Sequence, residues 1–134
     1  MRIGRRTQSG FTLIELLIVV AIIGILASMA VVQLRSTKQK AMEAALKENL
    51  YVLRNCIDQY FTDKGKYPDS LESLVDDGYI RKIPEDPFTK SSSSWQTVPA
   101  EPDPNNPTAE AGVYDVKSGS EATALDGTKY ADWD

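Results

Sequence analysis

The sequence predicts an α+β fold built from a long N-terminal helix, a short second helix, a proline-rich loop and a small antiparallel sheet. Three observations carry that prediction. An apolar run from Phe11 to Leu34 passes, with no glycine or proline after Gly24, into a stretch whose apolar residues recur every three or four positions. A short amphipathic segment then precedes Pro84 and Pro87, whose spacing excludes a regular helix or a central strand. Two stretches with alternating large residues, 95–98 and 112–116, flank a segment rich in proline and asparagine. At 134 residues the chain has room for one modest domain, since single domains commonly hold about 100 to 200 residues.

The first element is the most strongly marked. Between Phe11 and Leu34 the only ionisable residue is Glu15, whereas residues 64 to 134 carry fourteen Asp and Glu against seven Lys and Arg. A helix over those first 24 residues is about 36 Å long at ~1.5 Å per residue, enough to cross a hydrocarbon core of ~30 Å. The preceding MRIGRRTQSG holds Arg2, Arg5 and Arg6 and no acid, which places it in the cytoplasm and the chain beyond Leu34 outside it.

Three readings compete for this segment. One is an ordinary anchor. Another is a secretory peptide cut after Ala30, with Ser28-Met29-Ala30 as a small-x-small site, but the run is long for that purpose and contains a carboxylate. The third is a leader cut before the run, between Gly10 and Phe11. A carboxylate inside a spanning helix costs several kcal/mol by most scales and usually has a partner. The plain anchor offers Glu15 none. Cutting after Gly10 creates one, because the new α-ammonium of Phe11 lies about one helical turn from Glu15, or can meet the Glu15 of a neighbouring copy. Such a pair lowers the cost of both charges and sets axial register, since a misplaced copy leaves Glu15 unpaired.

Beyond Leu34, Leu46, Leu50, Leu53, Ile57 and Tyr60 or Phe61 form one face of a 3.6-residue repeat, which predicts a single helix from Phe11 to Asp63 stopped by Gly65. Cys56 on its flank reads as a small buried apolar residue. Arg35, Lys38, Lys40, Glu43, Lys47 and Glu48 read as a solvated face, some able to bridge copies or meet lipid headgroups. Asp69 or Ser70 can cap a short helix that turns Leu71, Leu74 and Val75 inward and ends at Gly78. Residues 89–111 read as a surface loop, and a third strand is expected near Tyr130–Trp133.

Composition also excludes function classes. Histidine is absent, which removes the commonest general base, the His-dependent triads and most transition-metal sites. Cys56 is the only cysteine, so the chain forms no internal disulfide and has no zinc spacing. No GxxxxGK[ST], GxGxxG or GxSxG element occurs. The acidic second half lacks the clustered Lys and Arg that nucleic acid requires. The expectation is a non-enzyme that binds no nucleic acid.

Gly10-Phe11-Thr12-Leu13-Ile14-Glu15 resembles the class III signal of type IV pilins and pseudopilins. The resemblance implies cleavage after Gly10 by a prepilin peptidase, N-methylation of Phe11 and assembly into a helical filament in which Glu15 guides insertion. Tyr67-Pro68 and the run Tyr79-Ile80-Arg81-Lys82-Ile83-Pro84-Glu85-Asp86-Pro87 are similar to segments of the major pseudopilins of type II secretion, so the resemblance covers about residues 1 to 88. The chain departs from that family at Val32, where many members have proline, and at Phe88-Thr89, where Trp-Gly is usual. The implied organisation is a leader, 1–10; a transmembrane and filament-core helix, 11–34; a continuation as spine, 35–63; and a periplasmic globular part, 64–134. The implied role is that of a structural subunit of a periplasmic pseudopilus, single-pass in the inner membrane. Its implied partners are further copies of itself, minor pseudopilins and an inner-membrane platform with a cytoplasmic ATPase. The resemblance also implies calcium near the C-terminus, with Glu121 and Asp126 as the acidic ligands. A solvated loop with Asp126-Gly127 as its turn is the alternative. Two other functions stay open: a type IV pilin forming surface fibres, and a soluble secreted binding protein or enzyme released after Ala30.

Overall fold

A computed structural model describes Gly4 and residues 10–134; the leader arginines Arg2, Arg5 and Arg6 lie outside the described residues. The elements in chain order are α1 (Leu13–Lys64), α2 (Leu71–Asp76), β1 (Gln96–Pro99), β2 (Val113–Lys117) and a 3-10 turn (Tyr130–Asp132). The chain divides into two compact units, with the boundary between Lys38 and Gln39 inside the α1 sequence.

In the first unit the apolar side chains of α1 are exposed among the described residues: Leu13, Ile14, Leu17, Ile23 and Leu34 are each more than half exposed. By length and composition this helix is able to cross a membrane. In the second unit the predicted stripe is the core. Leu46, Leu50, Leu53, Cys56, Ile57 and Tyr60 are buried, and the structure chooses Tyr60 over Phe61, which stays 42% exposed and stacks on Tyr67. Gly65 ends α1 in the left-handed region at φ 71°, its N–H bonding the carbonyl of Phe61, a conformation that glycine adopts without a Cβ penalty.

Helix α2 starts after Ser70, which sits extended at the N-cap position with its hydroxyl against that of Ser73 and not on a backbone N–H. Leu71 and Leu74 are buried and Val75 is half-buried, so the inward face is as expected. The proline segment after it is pinned by a buried carboxylate. Asp86 accepts the N–H of Phe88 and the hydroxyl of Ser118, while its own backbone pairs with Ser91 and Lys90. Trp95 is buried and donates its indole N–H to the Pro84 carbonyl at 2.8 Å.

Strands β1 and β2 pair antiparallel with Thr97 opposite Val116, Val98 opposite Asp115 and Pro99 opposite Val113. The register skips Tyr114, which makes it the extra residue of a bulge and leaves it 56% exposed. That skip is why Val113 and Val116, three positions apart, both face the core. At Gly119 the backbone comes so close to Ser94 that a Cβ would lie 2.1 Å from its carbonyl oxygen.

The expected third strand near Tyr130–Trp133 does not form. A 3-10 turn stands there, and the carbonyl of Trp133 accepts from the side chains of Arg54 and Lys117 in place of a ladder partner. The Tyr130 ring, fully buried, stacks on Phe88 and meets Trp133 edge-on, so burial of aromatic surface takes precedence over strand pairing.

Candidate processing and assembly site

The predicted site residues Gly10, Phe11 and Glu15 lie at the start of α1. Gly10 and Phe11 precede the first helical turn and are exposed, Phe11 to 88%. Thr12 is the residue before the helix, and its carbonyl accepts the first helical bond, from Leu16. The Thr12 hydroxyl accepts the N–H of Glu15, and the Glu15 carboxylate accepts the N–H of Thr12, both at 3.3 Å. This is a capping box: two backbone donors that a helix start would leave bare are satisfied reciprocally.

The box gives Glu15 a second role that the apolar pattern alone did not suggest, although Thr-x-x-Glu before an apolar run is its signature. In water a lost cap costs about 1 kcal/mol, and in an apolar surrounding a bare N–H costs more. The carboxylate also sits where the helix dipole favours negative charge. Glu15 therefore fixes where the helix begins, two residues past the Gly10-Phe11 bond, and leaves that bond exposed and outside the regular helix.

Below Glu15 the helix carries no further charge until Arg35. The hydroxyl of Ser28 turns back onto the Ile25 carbonyl and that of Thr37 onto Gln33, so these polar groups are satisfied within the helix. Gly24 has open space where a Cβ would stand, which leaves a flat spot on the apolar surface.

The residues singled out for calcium lie apart from this site. Glu121 is exposed, and one carboxylate oxygen of Asp126 accepts both the N–H and the hydroxyl of Thr128, at 3.0 and 2.6 Å. Those two bonds hold the Asp126 carboxyl below its ordinary range, the Thr128 hydroxyl first. Gly127 adopts φ 88°, as the turn reading expects. Among the described residues no three His, Cys, Asp or Glu gather as a metal-binding group. The carboxylates of Glu121 and Asp126 alone fall short of the six to eight oxygens that calcium favours. Cys56 lies buried with its thiol toward the Tyr79 carbonyl, and burial pushes the thiol up, away from the reactive thiolate.

Of the charged face expected on α1, two members turn out to be structural. Glu43 accepts the N–H of Leu125 and the hydroxyl of Tyr130, and Lys47 lies 5.1 Å over the Trp133 ring.

Comparison with known proteins agrees with the N-terminal geometry. Residues 5–31 match a family described as the prokaryotic N-terminal methylation motif. The chain is similar to type II secretion system core protein G of Aeromonas hydrophila, 37% identical over 100 residues that span 63% of this chain and 70% of the relative. Core protein G of Pseudomonas aeruginosa is 38% identical over the same shares, and that of Escherichia coli K12 is 37% identical over 60% of this chain and 67% of the relative. No solved structure matches.

Proposed function

The chain belongs to the family of type II secretion system core protein G, the major pseudopilin, and we propose that it is the structural subunit of a periplasmic pseudopilus whose growth drives protein export. The observation that carries this reading is the junction at the head of α1: an accessible Gly10-Phe11 bond, a capping box that employs the only carboxylate of the apolar run, and an apolar surface that stays exposed among the described residues.

Each part has a task. The leader, 1–10, is removed by a prepilin peptidase, and the freed amine of Phe11 is methylated. The helix of residues 11–34 anchors the subunit in the inner membrane with the C-terminal part in the periplasm, then packs with its equals at the centre of a filament. Residues 35–63 continue as a spine for the globular part, 64–134. Burial of Leu, Ile and Val between helices favours packing, and the Phe11 ammonium of one subunit meeting Glu15 of its own or a neighbouring chain sets the axial step. Glu15 thus exchanges one positive partner for another, from the Thr12 N–H at the helix start to a full ammonium after cleavage. The work is mechanical: an inner-membrane platform and its cytoplasmic ATPase supply the energy, and minor pseudopilins complete the filament.

Mass spectrometry of the mature protein tests the processing step, with a methylated Phe11 as the expected first residue. A start at Val31 would instead mean release of a soluble protein. Glu15→Leu keeps the helix apolar while removing the charge. The variant should still be cut and anchored, yet yield no filaments under electron microscopy and at least a tenfold loss of secreted substrate, roughly the ~1.4 kcal/mol that a single displaced charge pair exceeds. Normal secretion by that variant would sink the assembly role of Glu15.

A further inference from the structure

We propose that the C-terminal segment, residues 122–134, is ordered by a clamp of side chains from α1 and needs no bound metal ion. The inference goes beyond the filament reading and does not depend on it.

Two sets of observations support it. The first is the clamp. Glu43 holds the segment at two points, accepting the N–H of Leu125 at 2.9 Å and the hydroxyl of Tyr130 at 2.8 Å. One turn before it, Gln39 donates to the same Tyr130 hydroxyl and to the Thr123 carbonyl. Further along α1, Lys47 covers the Trp133 ring, and Arg54 bridges Asp115, the Val116 carbonyl and the Trp133 carbonyl. These residues recur at three- or four-residue multiples and so share one face of the helix. Hydrogen bonds to charged groups contribute more than neutral ones, and the clamp has several.

The second set concerns the oxygens that a hard cation would use. The carbonyls of Ala122, Thr123, Ala124 and Thr128 already accept from Tyr130, Gln39, Gly127 and Ala124 respectively. One carboxylate oxygen of Asp126 is engaged by both donors of Thr128. Lys47, Arg54 and Lys129 line the same groove as Asp126, Asp132 and Asp134. The chain's own cations thus already share that groove with its carboxylates.

The test uses the full chain in detergent micelles, followed by thermal unfolding and by amide hydrogen exchange of residues 122–134. Wild type is compared in excess EDTA and in about 5 mM calcium, above the ~10⁻⁴ to 10⁻³ M range of weak extracellular calcium modules. The expected result is the same exchange protection and midpoints that agree within about 1 °C, whereas a site of that affinity would raise the midpoint by roughly 5 °C or more. Such a rise, or loss of protection in EDTA, overturns the proposal. Glu43→Ala should speed exchange over 122–130 about tenfold or more with or without calcium. Unchanged protection in that variant, or its rescue by calcium, also overturns it. The wild-type comparison stands even if the variant fails to fold.

Discussion

At Asp126 a single carboxylate oxygen closes a turn by accepting two donors of Thr128, and at Asp134 the carboxylate is drawn down by the Lys117 ammonium, first through their hydrogen bond and then through charge. Both groups hold their protons less readily in the folded chain than in the unfolded one. A depressed carboxylate contributes stability that is fully present above its unfolded value near ~3.9 and is lost as pH falls through the lower folded value. Exchange protection over 122–134 should therefore be flat from neutral pH to about pH 5, then fall as the pH drops below the unfolded value near ~3.9. Asp126→Asn, whose amide oxygen accepts the same bonds without titrating, should shrink that acid response. An unaltered response would show that other carboxylates govern it. The Asp126-Gly127 turn was legible from two adjacent residues, because a turn is local. Glu43 was not, because its partners Leu125 and Tyr130 are eighty-two and eighty-seven positions away. Taken alone, it is one more charge on a solvated face.

Helix α1 has two environments, and its composition says where each applies. From Leu13 to Leu34 nearly every position is apolar, so no face is distinguished; from Leu46 to Tyr60 the apolar residues keep to one stripe, so one face is buried. The second half behaves as an ordinary core. Leu53→Ala removes a fully buried side chain and should cost about 2–5 kcal/mol, lowering the unfolding midpoint of the globular unit by many degrees. Phe61→Ala, at an exposed position with one aromatic neighbour, should cost only about 0.5–1.5 kcal/mol. Equal effects would mean that the stripe is drawn wrongly. Thermal unfolding followed by circular dichroism separates the two. The periodicity left Tyr60 and Phe61 as equals, and packing decided between them: Tyr60 lies against Tyr79 inside the core, and Phe61 faces outward onto Tyr67. The strands were visible as alternating large residues. The bulge at Tyr114 was not, since it depends on how the partner strand is registered at Pro99.

For the molecule as a whole, every buried apolar side chain of the core, from Leu46 to Tyr130, belongs to the unit that starts at Gln39. A chain that begins at Gln39 should therefore be soluble and fold cooperatively, with Leu53→Ala destabilising it as it does the full chain; a molten or aggregated product would show that the N-terminal unit is needed for folding. What the sequence by itself determined is the class of the protein and the motif at its N-terminus. The Gly10-Phe11 junction, Glu15 and the apolar run are contiguous, and a solvent of lipid acts on residues in order along a helix, so nothing distant is needed to read them. What only the tertiary structure decided is how the last thirteen residues are held. The strand expected at Tyr130–Trp133 gave way to a 3-10 turn because Phe88, Glu43 and Arg54, each far away in the chain, offered the aromatic ring and the Trp133 carbonyl better partners than a sheet edge. Hydrogen bonds across that separation have no periodic trace in a sequence, and only folding brings them together.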